Sequence, residues 1–337
     1  MRKVLFIFLI IIIFLMNGCL KDNLIDPIPG MNPSAEMLVY FETNGDFINS
    51  TSCPAYIKAS EVYQNLDNYL ILDIRDKLSF VRGHIPNSKN VQEKDLIDFV
   101  ETYKDSNYKK IVIVCETGQR AAFASSILRL DGFNNVYSLQ WGMASWHQDF
   151  SNDWYKLVKN SFLVGKYEFY NYPKPDFNEL PYLEPSGKTT KDFIISKSKL
   201  ILQEGFDNAK VDIDDIMKTY NSTTKTLDYF VVCYAPSRLY NIRDNGHPPT
   251  TVRYEPNSDL RSTTYLQTLP TNKKIAVYDD TGEISAYVVA YLKMLGYDAY
   301  AIIHGANGMI GEDQKISIRI IRLKQSDIMN YPYVTGD

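Results

Sequence analysis

The chain has 337 residues and a formal net charge of −4. This length allows two domains of about 100–200 residues each, and the absence of a Lys/Arg block argues against nucleic-acid binding, which normally requires a basic stripe. Three of the four cysteines, Cys53, Cys115 and Cys233, lie neither in a Cys-x-x-Cys pair nor beside a histidine, which excludes a zinc site and a disulfide scaffold. We expect no metal and no cofactor.

The first residues have the pattern of an export signal. Arg2 and Lys3 precede an apolar run at residues 4–16, which is shorter than the roughly 20 residues that span a bilayer. Residues 15–19, LMNGC, resemble a bacterial lipobox, whose cysteine is lipidated. We therefore expect a signal peptide at 1–18, lipidation of Cys19, and a lipid-anchored protein of the cell envelope, either periplasmic or surface-exposed. An uncleaved anchor and a simple signal peptide are the alternatives, and both also export the body.

The next segment predicts a tether. Residues 22–37 are rich in Pro, Gly and Asn and lack apolar periodicity, so we assign residues 19–50 to a tether and expect folded structure to begin near Cys53. A first domain is predicted at 51–150, a linker at 151–195, a second domain at 196–315 and a C-terminal tail at 316–337.

The two predicted domains repeat one pattern. In the first, a β-branched run at 111–114 is followed by the loop 115–120, CETGQR, and a helical stretch at 121–130. In the second, the run 275–278 is followed by the loop 279–284, DDTGEI, and a helical stretch at 285–295. Upstream, the GHIP motif at 83–86 has a counterpart, GHPP, at 246–249. One domain has therefore been duplicated.

Short β-branched runs alternate with amphipathic stretches in each copy. In the first copy, strands are predicted at 70–73, 111–114 and 136–139, and helices at 96–103 and 121–130. This alternation predicts an α/β fold in which each domain is a mainly parallel sheet flanked by helices. Ligands of such sheets bind beyond the carboxyl ends of the strands, where Cys115 lies.

Four motifs in order resemble those of a rhodanese domain. They are LDIR at 72–75 with Phe80, GHIPNSKN at 83–90, the Cys115 loop, and WGMASW at 141–146. The resemblance covers residues 56–146 and implies two rhodanese-like domains and sulfurtransferase activity through a persulfide on Cys115. The spacing from Cys115 to Arg120 matches rhodaneses, whereas related phosphatases and arsenate reductases have one more residue.

The loop predicts a reactive thiol. Residues between a strand and a helix can direct their N–H groups inward, and Gly118 permits the tight curve. These groups, the helix N-terminus and Arg120 favour a thiolate, so we expect the pKa of Cys115 to fall to about 3.5–7.5. The thiolate would take sulfur from a small anion such as thiosulfate, and cyanide or a thiol would remove it. The alternative is a buried, inert thiol.

The resemblance also implies the residues that bind the donor: Arg75, Glu116, Thr117, Gly118, Gln119 and Arg120. Arg75 is expected mainly to form a structural ion pair with Asp73. Glu116 and Gln119 are expected to line the mouth of the loop or to lie on a solvated surface. Structural roles are expected for His84, Trp141 and Trp146, whereas Cys53 is either a resolving thiol or a small packing residue.

The second copy lacks the cysteine and the arginine of the first loop. Asp279 stands in place of Cys115, and Ile284 in place of Arg120. Cys233 replaces Asp73 and is expected to be a buried strand thiol. The arrangement resembles two-domain sulfurtransferases, in which the inactive copy shapes the cleft of the active one, although the active copy is there usually second. A second hypothesis is therefore a non-enzymatic binding or redox-sensing module of the envelope, with an unknown protein partner.

Overall fold

The computed structural model describes residues 31–159, 168–241, 247–310 and 320–336. The predicted signal peptide, Cys19, the first part of the tether and Gly246 lie outside the described residues. Within those four ranges no helix has both the length and the apolar character needed to cross a membrane.

The first domain is built on a five-stranded parallel sheet with strand order β1-β5-β4-β2-β3. Its strands are β1 (Tyr56–Ile57), β2 (Tyr69–Asp73), β3 (Lys89–Asn90), β4 (Lys110–Val114) and β5 (Val136–Leu139). Its helices are α2 (Ala59–Tyr63), α3 (Lys77–Arg82), α4 (Leu96–Glu101), α5 (Gln119–Leu130), α6 (Met143–Trp146) and α7 (Gln148–Tyr155), and they follow a helix α1 (Pro33–Thr43) that precedes the sheet. The predicted strands and helices of this domain are confirmed to within two residues at each end.

Strand β4 lies at the centre of this sheet, between β5 and β2. Strand β2 is buried along its whole length, and β4 is buried from Ile111 onward. Continuous apolar runs of this kind are typical of parallel strands covered on both faces. Cys115 therefore leaves the sheet at its middle, with helices on either side.

The second domain repeats this topology. In the described residues its sheet has five parallel strands in the order β6-β10-β9-β7-β8, the counterpart of the first order position by position. The strands are β6 (Lys210–Val211), β7 (Tyr229–Tyr234), β8 (Val252–Tyr254), β9 (Lys274–Tyr278) and β10 (Ala299–Ile302), and the helices are α8 (Thr190–Glu204), α9 (Ile213–Lys218), α10 (Ser237–Tyr240), α11 (Glu283–Met294) and α12 (Asn307–Ile310). The predicted fold class is confirmed, and the second sheet repeats the strand order of the first. Helix α8 begins inside the predicted linker.

The two domains pack through α5 and α11, the helices that follow the two corresponding loops. One hydrophobic core runs through both domains and contains Phe123 and Ile127 of α5 together with Tyr287 of α11. The Tyr287 carbonyl accepts a hydrogen bond from Ser126 at 2.8 Å, and its hydroxyl lies 2.8 Å from the Ser138 hydroxyl. A shared core makes the two loops parts of one rigid unit.

The prediction of a tether is wrong for residues 31–50. Helix α1 begins at Pro33, and the Asn32 side chain caps it by accepting the Ser34 N–H at 3.0 Å. Met37, Leu38 and Phe41 are buried in the shared core. Asn32 and Pro33, which belong to the Pro- and Asn-rich stretch that predicted a tether, are a helix N-cap and the first helical residue, where the missing N–H of proline costs nothing.

The described part of the C-terminal tail packs back on the first domain. Val334 and His84 exchange backbone hydrogen bonds as an antiparallel bridge. Trp146 donates its indole N–H to the Pro332 carbonyl at 3.0 Å, and Tyr331 stacks on Tyr63. The tail therefore fixes the GHIP turn and α6 on the side of the first sheet away from the second domain.

Candidate active site

Cys115 lies directly after β4, in the loop that leads into α5. Its sulfur accepts hydrogen bonds from the N–H groups of Gly118 at 3.2 Å and Ala121 at 3.3 Å. The predicted anion cradle at the start of the helix is thus present. Gly118 has a φ of +96°, and a Cβ there would overlap the Glu283 carboxyl. Any other residue would be both strained and blocked.

The protonation state of Cys115 differs from the expectation. The residue is 1% exposed, and burial raises the pKa of its thiol to about 12, an effect increased by the charge of Glu116. The N–H groups of Ala121 and Thr117, and then Arg120, act in the opposite direction. The prediction of a pKa below the ordinary value is wrong for this structure, because loss of hydration outweighs the cradle.

Arg120 faces two carboxylates instead of the sulfur. Its guanidinium donates to Glu93 at 2.7 Å and to Asp207 of the second domain at 3.2 Å. The same Glu93 carboxylate accepts the Phe206 N–H at 3.0 Å. The expected direction of the effect of Arg120 on Cys115 is confirmed, since its charge lowers the pKa of the thiol, but the effect is smaller than that of burial. The Arg120 guanidinium forms ion pairs that link the two domains. Its predicted role in binding the sulfur donor stays a prediction.

Arg75 forms the predicted ion pair with Asp73. Its Nη2 lies 2.6 Å from the carboxylate and also donates to the Gly83 carbonyl at 2.7 Å. The pair is buried and joins the end of β2 to the GHIP turn. The guanidinium interacts electrostatically with both Glu116 and Cys115. Arg75 is thus a structural brace close to the site.

Glu116 and Thr117, the second and third residues of the loop, are half-buried. The Glu116 carbonyl accepts the Ala144 N–H at 3.1 Å, so the backbone of the loop is fixed from behind. Its carboxylate interacts with the sulfur of Cys115 and with the guanidinium of Arg120. Half-burial is compatible with both alternatives expected for Glu116, so its place at the mouth of the loop stays a prediction.

Gln119 lies neither at the mouth nor on the surface. It is 3% exposed, and its side-chain oxygen accepts the His304 N–H of the second domain at 3.0 Å. In return, Glu283 of the second domain accepts the Trp141 N–H at 3.0 Å. Gln119 and Glu283 occupy equivalent positions in the two copies. Each side chain therefore accepts a hydrogen bond from the turn that follows the last strand of the other domain's sheet. Both expectations for Gln119 are wrong.

The WGMASW motif forms the wall behind the loop. The Met143 N–H donates to the Cys115 carbonyl at 2.8 Å. Gly142 has a φ of +57°, and a Cβ there would overlap that carbonyl. Trp141 packs edge-on against Trp154, and Trp146 is fully buried. The expected structural roles of the two motif tryptophans are confirmed.

The remaining predicted residues are structural. His84 stacks on Phe80, and its Nδ1 lies 2.9 Å from the Phe80 carbonyl. His247 stacks on Tyr240 in the same way in the second domain. Cys53 and Cys233 are buried, and burial raises the pKa of each to about 12. Cys233 is thus the buried strand thiol that was expected, and Cys53 packs in the shared core.

The second loop holds a carboxylate in its cradle. Asp279 accepts hydrogen bonds from the N–H groups of Thr281 at 3.1 Å and Ser285 at 3.0 Å. Ser285 follows Asp279 by six residues, just as Ala121 follows Cys115. The side chain is buried, and burial raises the pKa of its carboxyl. The second cradle is occupied by its own residue.

Glu93, Asp207, Glu283 and His304 were not identified from the sequence. Glu283 had a signal, because aligning the two loops places it opposite Gln119. Glu93 and Asp207 had none, since 27 and 87 residues separate them from Arg120. Within the described residues, no group of three or more His, Cys, Asp and Glu side chains could hold a metal ion.

The chain is similar to proteins of a known family. Residues 58–149 match the Rhodanese-like domain family. Thiosulfate sulfurtransferase GlpE of Pseudoalteromonas translucida is 32% identical over 98 residues, covering 28% of this chain and 91% of that protein. The tRNA uridine(34) hydroxylase of Buchnera aphidicola is 26% identical over 113 residues, or 31% of this chain and 35% of that protein. A crystal structure of thiosulfate sulfurtransferase from Pseudomonas aeruginosa covers 90% of this chain and 48% of that one, at 15% identity and a TM-score of 0.28.

Proposed function

Because the chain belongs to the rhodanese family, we propose that it moves sulfane sulfur from a small donor, such as thiosulfate, to a thiophilic acceptor through a persulfide on Cys115. The observation that carries this proposal is the pair of N–H groups, from Gly118 and Ala121, aimed at the Cys115 sulfur. Preorganised donors of this kind stabilise negative charge where it develops. They serve the thiolate before loading and the terminal sulfur of the persulfide after it.

The reaction has two steps. The Cys115 thiol first loses its proton, and the thiolate attacks the outer sulfur of the donor. The sulfur–sulfur bond of the donor breaks, and its remainder leaves with the electron pair, as sulfite when the donor is thiosulfate. Cyanide or a thiolate then attacks the terminal sulfur of the persulfide, and Cys115 leaves as a thiolate. No external oxidant or reductant is required.

Burial makes the first step dependent on pH. Because the pKa of Cys115 is raised to about 12, the thiolate fraction grows about tenfold with each pH unit below that value. Loading is therefore expected to accelerate steadily as the pH rises from neutral. The charge of Glu116 increases this pKa, and we propose that a donor enters beside this residue.

The test is a sulfur-loading assay on soluble protein that begins after Cys19. Thiosulfate and an organic persulfide are supplied separately, intact mass reports the added sulfur, and cyanide is then offered as acceptor. Cys115→Ser should lose the adduct, whereas the matched control Cys233→Ser, which removes another buried thiol, should keep it. If neither donor loads Cys115, sulfur transfer is excluded.

A second candidate is a non-enzymatic binding or redox-sensing module. It is favoured by one observation, the complete burial of a thiol with a raised pKa, which slows every reaction of that thiol. A protein of this type would leave Cys115 unloaded in the assay, and its Cys115→Ser variant would still bind its protein partner.

We also propose that the chain is exported and anchored to a bacterial membrane through lipid on Cys19. The support comes from the sequence alone, namely residues 2–19. Metabolic labelling with a fatty acid should mark the full-length protein, and Cys19→Ala should abolish the label. A labelled Cys19→Ala variant would refute lipidation at this residue.

A further inference from the structure

Arg75 and Arg120, which interact electrostatically with Cys115, are already paired with carboxylates. Arg75 pairs with Asp73 at 2.6 Å. Arg120 pairs with Glu93 at 2.7 Å and with Asp207 at 3.2 Å. A dianion that bound to one of these guanidinium groups would have to displace a carboxylate from it. In the buried Arg75 pair, that exchange would leave the Asp73 charge without a partner, which is costly.

The charge left over at the site is negative. Among the described residues, the charged side chains of the loop and of its ion pairs are three cations, Arg75, Arg120 and Lys210, the last of which pairs with Asp207, and four carboxylates, Asp73, Glu93, Asp207 and Glu116. Burial raises the pKa of Glu283, which lies against Gly118, to about 8, so this carboxyl adds no charge at neutral pH. Three positive against four negative charges leave a net charge of −1. The side-chain charges around the loop therefore disfavour a thiosulfate dianion.

Glu116 carries this remaining charge. Within the part of the chain that the structure describes, its carboxylate makes no hydrogen bond and no ion pair. It adjoins the nucleophile in the chain, is half-buried, and interacts with Cys115, Arg75 and Arg120. A half-buried carboxylate without a partner is complementary to a ligand that brings a cation.

We infer that the sulfur donor is an organic persulfide that carries an ammonium group, which Glu116 binds while the outer sulfur of the donor faces Cys115. This inference rests on the proposed sulfur transfer and names the class of its substrate. The donor satisfies the unpaired carboxylate and leaves the Arg75 and Arg120 ion pairs intact. Its single positive charge also reduces the repulsion that a thiolate would meet beside Glu116.

The loading step balances without a further reactant. The Cys115 thiolate attacks the outer sulfur of the persulfide R–S–SH. The bond between the two donor sulfurs breaks, and a new sulfur–sulfur bond forms on Cys115. The departing thiolate takes up the proton that Cys115 released, so the products are the Cys115 persulfide and the thiol R–SH.

The experiment compares donors that differ only in charge. Aminoethyl persulfide and carboxyethyl persulfide, each generated from its trisulfide, are supplied beside thiosulfate, and intact mass follows loading of Cys115 over time. The variants are Glu116→Gln and the matched control Glu101→Gln, which alters an exposed carboxylate paired with Lys104. Each series is run at low and at high salt.

We expect the wild-type chain to load from aminoethyl persulfide about tenfold faster than from carboxyethyl persulfide at low salt. That preference should shrink at high salt because the charges are screened. Glu116→Gln should reduce it to about twofold, and Glu101→Gln should leave it unchanged.

Faster loading from thiosulfate than from aminoethyl persulfide would overturn the inference while supporting sulfur transfer. An unchanged preference in Glu116→Gln would also overturn it. If no donor loads the wild-type chain, the proposed function fails, and the inference fails with it.

Discussion

The Cys115 loop and the Asp279 loop share a pattern of backbone hydrogen bonds but differ in the side chain that accepts them. In each, the first side chain accepts the N–H six residues later, from Ala121 or from Ser285. A thiol at this position can accept a sulfur atom and form a persulfide. A carboxylate at the same position cannot do so, and its own oxygens accept the hydrogen bonds of the N–H groups. The cradle is a property of the fold, and the chemistry is a property of one side chain.

The position after the loop glycine shows a second difference. Gln119 and Glu283 each accept an N–H from the turn behind the opposite loop, at 3.0 Å in both cases. The Gln119 side chain is an amide and carries no charge. Burial raises the pKa of Glu283 to about 8, so at neutral pH Glu283 is mostly protonated and accepts the N–H through an uncharged carboxyl group. Two chemically different residues thus perform one structural role.

The largest expected effect comes from making the first loop like the second. Cys115→Asp should abolish sulfur loading and preserve the fold, because Asp279 shows that the cradle accepts a carboxylate. Intact mass after donor treatment and thermal unfolding measure the two outcomes. Asp279→Asn is the control and should load as the wild type does. Loading that survives Cys115→Asp would mean that another thiol takes the sulfur.

The glycines test how closely the two loops approach each other. Gly118→Ala and Gly282→Ala should each lower the free energy of unfolding by about 2–5 kcal/mol, since both positions have positive φ and a Cβ would overlap Glu283 or Gln119. Urea denaturation measures the loss. Gly45→Ala, at a φ of +103° with open space around it, should cost only about 1–2 kcal/mol. Equal losses at all three positions would contradict a tight contact.

Glu283→Gln should remove a pH dependence. The carboxyl ionises near 4.5 in the unfolded chain and near 8 in the folded one, so the free energy of unfolding falls as the pH rises between these values. At pH 7 the loss amounts to about 3 kcal/mol. The variant should therefore be stabilised at pH 7 and nearly unchanged at pH 4, as measured by urea denaturation at both.

The converse variant, Gln119→Glu, places an acid in the other copy and should introduce the same loss of stability with rising pH. A Glu283→Gln variant with equal effects at the two pH values would show that folding does not raise the pKa of Glu283.

The smallest effect is expected from the bridge between the domains. Asp207→Asn should cost about 0.5–1 kcal/mol, because the Asp207 side chain is largely exposed and its attraction to Arg120 is screened by water. The loss should shrink in high salt. A loss of several kcal/mol would indicate that Asp207 is far better shielded than its exposure implies.

The sequence was sufficient where the signal is local. A β-branched run, then a loop with glycine at a fixed place, then an amphipathic stretch specify β4, the cradle and α5, and their recurrence around Asp279 specifies the duplication. The family resemblance identified Cys115, and the Asp73–Arg75 pair followed because two residues on one strand end can reach each other. Helix α1 was missed because a composition rich in Pro and Asn is typical of a tether and also occurs at a helix N-terminus, where Asn32 caps the helix and Pro33 begins it.

Only the tertiary structure decided what surrounds the thiol. The counter-ions of Arg120 come from residues 27 and 87 positions away, and no local pattern specifies such distances. The raised pKa of Cys115 depends on how completely the packed domains exclude water, which is a property of the whole assembly of elements. The sequence therefore determined that a cysteine is the nucleophile. The packing of the two domains determined the protonation state of that cysteine and the charged groups that surround a bound donor.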